Sequence, residues 1–283
     1  MSAVAELTGI VPVLDESTYH SHPALSSTGA RQLLDSPARF HYAQSHPQPH
    51  KDAFDLGTAV HTKVLGVGHE TIVLDFPDYR TKAARDARDE ARAAGLVAIS
   101  PAQARQVDAM AEAVLAHPVA RALFEQSGTP EASVFATDPA TGVDMRARFD
   151  YLPDFTVDEP WCVDLKTTGK SASPDEFTRT VASFGYDVQQ EWYLHAYGLV
   201  TGEFNPRMKF VVVETAAPHL VAVHELSDQF AQIGAARAQR ARETYAECSA
   251  SGEWPGYPEH GPLEPPMWLI YEEEEDMGME ISI

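Results

Sequence analysis

The stretch that decides the fold is residues 145–168, MRARFDYLPDFTVDEPWCVDLKTT. It begins and ends with runs in which apolar and polar residues alternate, Met145–Tyr151 and Trp161–Thr167, and a polar segment containing prolines separates the two runs. Such alternation is typical of strands, and the polar connection favours a hairpin between them. The stretch therefore predicts two neighbouring strands of a sheet.

Both predicted strands carry acidic side chains. Residues two apart on a strand point to the same face, so Asp164 and Lys166 project together, while Val163 and Leu165 face the other way into a core. If the strands pair, Asp150 lies beside Asp164. Carboxylates this close repel each other unless a cation lies between them, and their oxygens suit Mg²⁺ or Mn²⁺. For the tripeptide Asp164–Lys166 taken alone, the simpler alternative is a pair of opposite charges on an exposed strand face.

Two helical segments flank this hairpin in the sequence. Residues 52–66 form a plausible helix in which Gly57 precedes His61 by one turn, leaving room at that face for a ligand or another backbone. Residues 187–200 place Gln189, Tyr193 and Tyr197 at i, i+4 and i+8, on one helix face. A buried glutamine needs hydrogen-bond partners, so this face is expected to meet polar groups.

Four motifs in order give the chain a family likeness: LGTAVH at 56–61, RFD ending at Asp150, DLKTT at 164–168 and YDVQQEWYLHAYG at 186–198. Together they resemble the PD-(D/E)xK nuclease superfamily, and within it the exodeoxyribonuclease VIII (RecE-type) branch of phages and prophages. The likeness extends over about residues 25–225. It departs from the superfamily pattern where Phe149, not proline, precedes Asp150.

The resemblance implies an α/β restriction-endonuclease-like fold, with a central mixed β-sheet flanked by helices. It further implies that His61, Asp150 and Asp164 hold one or two Mg²⁺ ions, for which Mn²⁺ can substitute, and that the backbone carbonyl of Leu165 is a further ligand. Lys166 would position the attacking water or stabilise the transition state. Gln189 and Tyr193 would support the site and the DNA strand.

Other polar residues near these motifs leave alternatives open. Glu131 is a further metal ligand, a group that supports the ligands, or an exposed acid at the start of a strand. Thr167, Thr168 and Lys170 are phosphate contacts in one interpretation, because hydroxyls and lysines often bind DNA backbones. Ordinary contacts at a strand end explain them equally well.

The activity implied by the resemblance is Mg²⁺-dependent resection of linear double-stranded DNA from a free end. Degradation in the 5′ to 3′ direction would leave a 3′ single strand for a RecT-type annealing protein in phage recombination. By the same analogy we expect a ring-shaped homo-oligomer. The alternatives are a Cas4-like or repair endonuclease of the same fold, and a non-catalytic acidic scaffold on a degenerate nuclease fold.

Composition limits these possibilities. The chain has 283 residues, 44% of them hydrophobic, and a formal net charge of −21, which argues against a nucleic-acid enzyme. Much of the acid lies outside the candidate site, including the EEEED run at 272–276. The two cysteines cannot supply the four ligands of an iron–sulfur cluster, so we expect none.

We expect three parts: an irregular N-terminal lead-in (1–24), the nuclease domain (25–252) and a proline-rich, acidic C-terminal tail (253–283). A further helix is predicted from Ser100 through about Phe124. The sequence has neither the basic start and apolar run of a signal peptide nor an apolar stretch of about 20 residues that would span a membrane. We therefore expect no membrane association and a cytoplasmic location, in the bacterial host if a phage encodes the chain.

Overall fold

The computed structural model describes residues 7–46, 52–155, 160–203, 206–259 and 261–276, without the side chains of 52–54 and 273–276. The strands are β1 (Gly9–Val11), β2 (Leu25–Ser26), β3 (Thr71–Val73), β4 (Val97–Ile99), β5 (Gly128–Thr137), β6 (Asp144–Pro153), β7 (Trp161–Thr168), β8 (Arg207–Glu214) and β9 (Val221–His224). The helices are α1 (Glu16–Ser21), α2 (Ser27–Asp35), α3 (Pro37–Ser45), α4 (Asp52–Leu65), α5 (Lys82–Ala93), α6 (Pro101–Ala116), α7 (Pro118–Glu125), α8 (Pro174–Phe184), α9 (Tyr186–Thr201), α10 (Asp228–Ser251) and α11 (Met267–Asp276).

A mixed sheet forms the centre of the described chain, with strand order β1-β5-β6-β7-β8-β9 and the short β2 beside β6. The pairs β5–β6 and β6–β7 are antiparallel, which confirms the predicted pairing of the strands that carry Asp150 and Asp164. β7 and β8 are parallel and are connected through α8 and α9. This crossover carries α9 back across the sheet, directly over the face that bears Asp164.

The two faces of the sheet bury different helices. One cluster combines β5 and β6 side chains with residues of α2, α9 and α10, and its largest fully buried side chain is Trp192. On the other face, Val163 and Leu165 of β7 pack with residues of α4, α6 and α7. The alternation predicted for β7 is therefore confirmed, and the apolar face anchors the strand while Asp164 and Lys166 face α9.

The mixed sheet with helices on both sides is the fold class that the sequence predicts. None of the described helices is both long and apolar enough to cross a membrane.

Three local features differ from the sequence-based expectations. Within the expected irregular lead-in, β1 joins the sheet edge beside β5, and α1 is capped by the Asp15 side chain. The helix expected from Ser100 to Phe124 is two helices, because Pro118 begins a new one after the residue His117. The expected tail contains α11; residues 1–6, 260 and 277–283 of the two expected ends lie outside the described part of the chain.

The contact between α9 and α10 depends on a glycine. A Cβ placed on Gly234 of α10 would lie 2.4 Å from the backbone oxygen of Asp187 on α9. That oxygen cannot move without shifting α9, the helix that reaches the candidate site. The close approach of the two backbones therefore requires glycine here.

We predict that Gly234→Ala lowers the free energy of unfolding by ~1–3 kcal/mol, since the cost of overpacking exceeds the gain of ~1 kcal/mol in helix propensity. Gly256→Ala is the control, because a Cβ there would meet nothing within 4 Å. Urea unfolding monitored by circular dichroism measures both. A Gly234→Ala variant as stable as the wild type would contradict the packing argument.

Candidate active site

Three neighbouring strands bring three acidic residues into one row. Glu131 and Asp150 lie between two register pairs of β5 and β6, Pro130 with Tyr151 and Ala132 with Phe149. Asp150 and Asp164 each adjoin the pair of Tyr151 with Val163 that joins β6 to β7. We call Glu131, Asp150 and Asp164 the acid row. Because adjacent strands lie about 4.8 Å apart, register alone concentrates three carboxylates at one level of the sheet.

A histidine from the helical layer completes one end of the row. His61 on α4 places Nδ1 at 3.5 Å from Oδ2 of Asp150. Three side chains each offer one ligand atom, and these atoms lie within 4.8 Å of one another: those of His61, Glu131 and Asp150. We call these three residues the metal cluster. A Cβ on Gly57 would approach the Thr167 hydroxyl to 3.3 Å, so glycine allows α4 to run close to β7 and carry His61 to the row.

Glu131 has a strained backbone. Its φ angle is +54°, in the left-handed region that non-glycine residues seldom adopt. Such conformations cost of order 1–3 kcal/mol and concentrate at functional sites. The side chain thus reaches the metal cluster at a conformational cost, and its Oε2 lies 3.9 Å from Nη1 of Arg148.

Asp150 is fixed by the neighbouring strand. Its Oδ2 accepts a hydrogen bond of 2.6 Å from the backbone amide of Leu165. This bond ties the carboxylate, as a member of the metal cluster, to β7. This hydrogen bond involves the backbone amide of Leu165. The role of its carbonyl as a metal ligand stays a prediction.

Asp164 and Lys166 form the other end of the row. Asp164 is only 2% exposed, and its carboxylate pairs with the Lys166 ammonium through Oδ1 and accepts from the Gln189 side-chain amide through Oδ2. Gln189 thus has the polar partner that its burial requires. Both oxygens of Asp164 are engaged by these side chains, and its proposed role as a metal ligand stays a prediction.

The electrostatics of the row show its need for positive charge. Burial and then the Asp150 charge raise the pKa of Glu131 to about 8, against the opposing effect of Arg148. Burial also raises the pKa of Asp150, to about 6, with His61 lowering it and Asp164 raising it. Burial alone lowers the pKa of Lys166, but the Asp164 carboxylate outweighs this and the net shift is upward, which keeps the ammonium charged.

The metal cluster opens into a cleft of about 1720 Å³. Residues 12–29 line much of it, and two arginines of β6 bind this segment: Arg146 donates to backbone carbonyls including that of Tyr19, and Arg148 Nη2 donates to the Leu14 carbonyl at 2.8 Å. Sequence reasoning missed this wall. The only signal was the R-A-R alternation in β6, which places both arginines on one face.

The remaining predicted residues divide into two groups. Tyr193 lines the cleft with Thr167, and its ring packs edge-on against Phe149 at 5.2 Å; burial raises its pKa well above the usual range. Lys170 instead pairs with Glu176 at 2.8 Å, and its backbone amide donates to the Thr168 hydroxyl. The structure therefore brings Thr167 to the cleft, whereas Lys170 contacts Glu176 of α8 and Thr168 at the end of β7.

We predict that the metal-free protein loses stability as pH rises from about 4.5 to about 8. The folded state raises the pKa of Glu131 and Asp150 above their unfolded values, so it binds more protons than the unfolded state over this range. Glu131→Gln removes most of the slope, and Mg²⁺ at 100 times its Kd restores ~2.7 kcal/mol to the wild type at pH 8. Denaturant unfolding at several pH values measures this.

Glu176→Gln is the control for that experiment. The hydrogen bond from Lys170 lowers the pKa of this partly exposed glutamate, so its contribution to stability is constant across the neutral range. A Glu131→Gln protein with the wild-type slope and the wild-type response to Mg²⁺ would contradict the assignment of Glu131 to the metal cluster.

Comparisons with known proteins identify the family of this chain. No curated protein matches the chain significantly. An Eubacterium rectale protein provisionally named an exonuclease has the same fold at 14% identity, with 89% of this chain and 96% of that one covered and a TM-score of 0.57. A phage-related exonuclease from Haemophilus somnus 129PT is 10% identical over 83% of this chain and 99% of that one, with a TM-score of 0.34.

The family model described as a PDDEXK-like domain of unknown function (DUF3799) matches residues 26–263. The match covers most of the chain, which therefore belongs to this PDDEXK-like family and has its restriction-endonuclease-like fold.

Proposed function

We propose that the protein is a metal-dependent exodeoxyribonuclease that resects linear double-stranded DNA. The observation that carries the proposal is the acid row, with His61 at one end and the Lys166 ammonium at the other. A phosphodiester gains negative charge as it is attacked. A site that presents a cation-binding cluster beside a fixed ammonium suits that charge.

The metal cluster fits a divalent cation. It offers two carboxylates and an imidazole, and the upward pKa shifts of Glu131 and Asp150 show that the two carboxyls do not readily ionise together without added positive charge. Carboxylate oxygens favour Mg²⁺ and Mn²⁺, and imidazole is accepted by transition metals. We therefore infer Mg²⁺ as the cofactor, with Mn²⁺ as a substitute.

Each protein group then has a distinct task. His61, Glu131 and Asp150 would hold the cation, with Asp164 at the edge of the same site. A divalent cation there supplies a Lewis acid for the phosphate and lowers the pKa of a bound water. Lys166 remains charged and donates hydrogen bonds to the water or to a phosphate oxygen. Gln189 holds Asp164, and Asp164 in turn directs Lys166.

The substrate must approach a protein with a net charge of −21. This net charge makes long-range attraction for DNA small, and the two arginines that line the cleft already donate to backbone carbonyls of the N-terminal segment. We infer that binding depends on the cation and on short-range contacts such as those offered by Thr167 and Tyr193. The affinity is then expected to fall steeply when the cation is removed.

The finer features of the proposal rest on the RecE-type resemblance. They are 5′ to 3′ polarity, a 3′ single strand passed to a RecT-type annealing protein, phage-type recombination, and a ring-shaped homo-oligomer that encloses the DNA. Two other functions are kept as outcomes of the test. A Cas4-like or repair endonuclease would share the cluster, and an acidic scaffold would account for the net charge.

Digestion of end-labelled linear duplex beside a covalently closed circle, with Mg²⁺ and with EDTA, tests the proposal. We expect Mg²⁺-dependent release of the 5′ label from the linear DNA as mononucleotides, and an intact circle. Cutting of the circle would replace the exonuclease with the endonuclease, and no cutting of either DNA would favour the scaffold. Light scattering tests the predicted ring. A strictly monomeric enzyme with full processivity would contradict it.

Substitution of the ammonium tests its place in the chemistry. We predict that Lys166→Ala lowers kcat by on the order of 10²–10³ or more, because a fixed positive charge at the developing phosphate charge is lost. Lys82→Ala is the control, since Lys82 is exposed on α5 and pairs with Asp86. Asp164→Asn should also abolish cleavage without unfolding the protein. Wild-type rates in either site variant would contradict the assignment.

A further inference from the structure

Lys166 has a second neighbour besides Asp164. Its Nζ lies 4.7 Å from the centroid of the Tyr186 ring, at the first residue of α9. Cations within about 6 Å of an aromatic face are attracted by the ring quadrupole, most strongly where water is excluded. The Lys166 side chain is 19% exposed, so the ammonium is largely removed from solvent at this contact.

The Tyr186 ring is held in place by other aromatic rings. It stacks on Phe210 of β8 at 6.0 Å with an interplanar angle of 17°, and on Phe184 at 5.9 Å with 23°. Between Phe184 and Tyr186, Gly185 adopts φ of +67°, which ends α8 and turns the chain directly into α9. The turn fixes the position of Tyr186 at the start of α9, and the stacked rings fix the plane of its side chain.

We propose that Tyr186 is a positioning residue that holds the Lys166 ammonium toward the scissile phosphate. This inference rests on the proposed nuclease function and extends it to a residue with no assigned role. A lysine carries its charge on a flexible four-carbon stem, so a single carboxylate partner leaves it several orientations. Asp164 and the ring face restrain the ammonium from two directions.

An aromatic face suits this task better than a second carboxylate. An ammonium has three N–H donors. The ring attracts the charge without accepting a conventional hydrogen bond, and the Asp164 carboxylate forms an ion pair with the ammonium through Oδ1. Donors remain for a water or a phosphate oxygen. A second acid at position 186 would use another donor and add negative charge beside an already acidic row.

The alternative is that Tyr186 only fills space between α8, α9 and β8. The two explanations differ in what they require of the side chain. Packing requires shape, whereas positioning requires a π face with negative charge at its centre. Phenylalanine preserves both, leucine removes the face, and pentafluorophenylalanine keeps the shape of the ring while reversing its quadrupole.

The test compares full-length proteins with these residues at position 186 in Mg²⁺-dependent digestion of linear duplex. We expect Tyr186→Phe to retain the wild-type kcat. Tyr186→Leu and the pentafluorophenylalanine variant should lose about tenfold in kcat at unchanged KM, equivalent to ~1.4 kcal/mol in the barrier. Tyr257→Leu is the matched control, because it removes an exposed ring that faces the Arg39 guanidinium at 5.3 Å and takes no part in the stack around Tyr186, and it should remain close to wild type.

A second readout does not depend on activity. The chain has six lysines, so ¹³C-labelled lysine gives few signals, and Lys166→Arg identifies the one from Lys166. Its ε-methylene protons should shift upfield beside the ring, retain the shift in Tyr186→Phe and lose it in Tyr186→Leu. If the leucine variant does not fold, the pentafluorophenylalanine variant decides the case by kcat.

Wild-type kcat in the folded pentafluorophenylalanine variant would overturn the positioning role, as would a Lys166 signal that does not respond to Tyr186→Leu. Failure of the proposed function gives a different result, because the wild type itself would then show no Mg²⁺-dependent cleavage. In that case the lysine signal still reports whether the ring holds the ammonium.

Discussion

Repulsion among the carboxylates of the acid row is the constraint on which the rest of the site depends. Strand register places Glu131, Asp150 and Asp164 side by side, and burial weakens the screening that water would give them. Each end of the row meets this constraint differently. At one end Lys166 compensates Asp164 directly, whereas at the other Glu131 and Asp150 remain with raised pKa values and a histidine beside them.

Helices on both faces of the sheet hold the acid row in place. On one face of the sheet, α4 is brought close to β7 at Gly57 and contributes His61. On the other, α9 contributes Gln189 to Asp164 and Tyr186 to Lys166. The close contact of α9 with α10 at Gly234 fixes the helix that carries these side chains. A buried polar network of this kind is stable only if its members are satisfied, which explains why so many elements converge on it.

Much of this arrangement could be predicted from local sequence. The alternation in 161–167 identified the face shared by Asp164 and Lys166, and the helical spacing of Gln189 with Tyr193 indicated a polar contact. The wall of the cleft could not be predicted, because Arg146 and Tyr19 lie 127 residues apart and no periodicity connects them. Glu131 stayed open for a related reason, since its left-handed φ angle comes from the tertiary structure and not from residue type.

The most direct test of the account is the position of a bound ion. Anomalous scattering from crystals grown with Mn²⁺ should show a peak bonded to His61, Glu131 and Asp150, at about 2.0–2.3 Å from the ligand atoms. That result would show that the acid row is balanced by a cation where the register concentrates its charge. Crystals with saturating Mn²⁺ and no peak at these three residues would contradict the account.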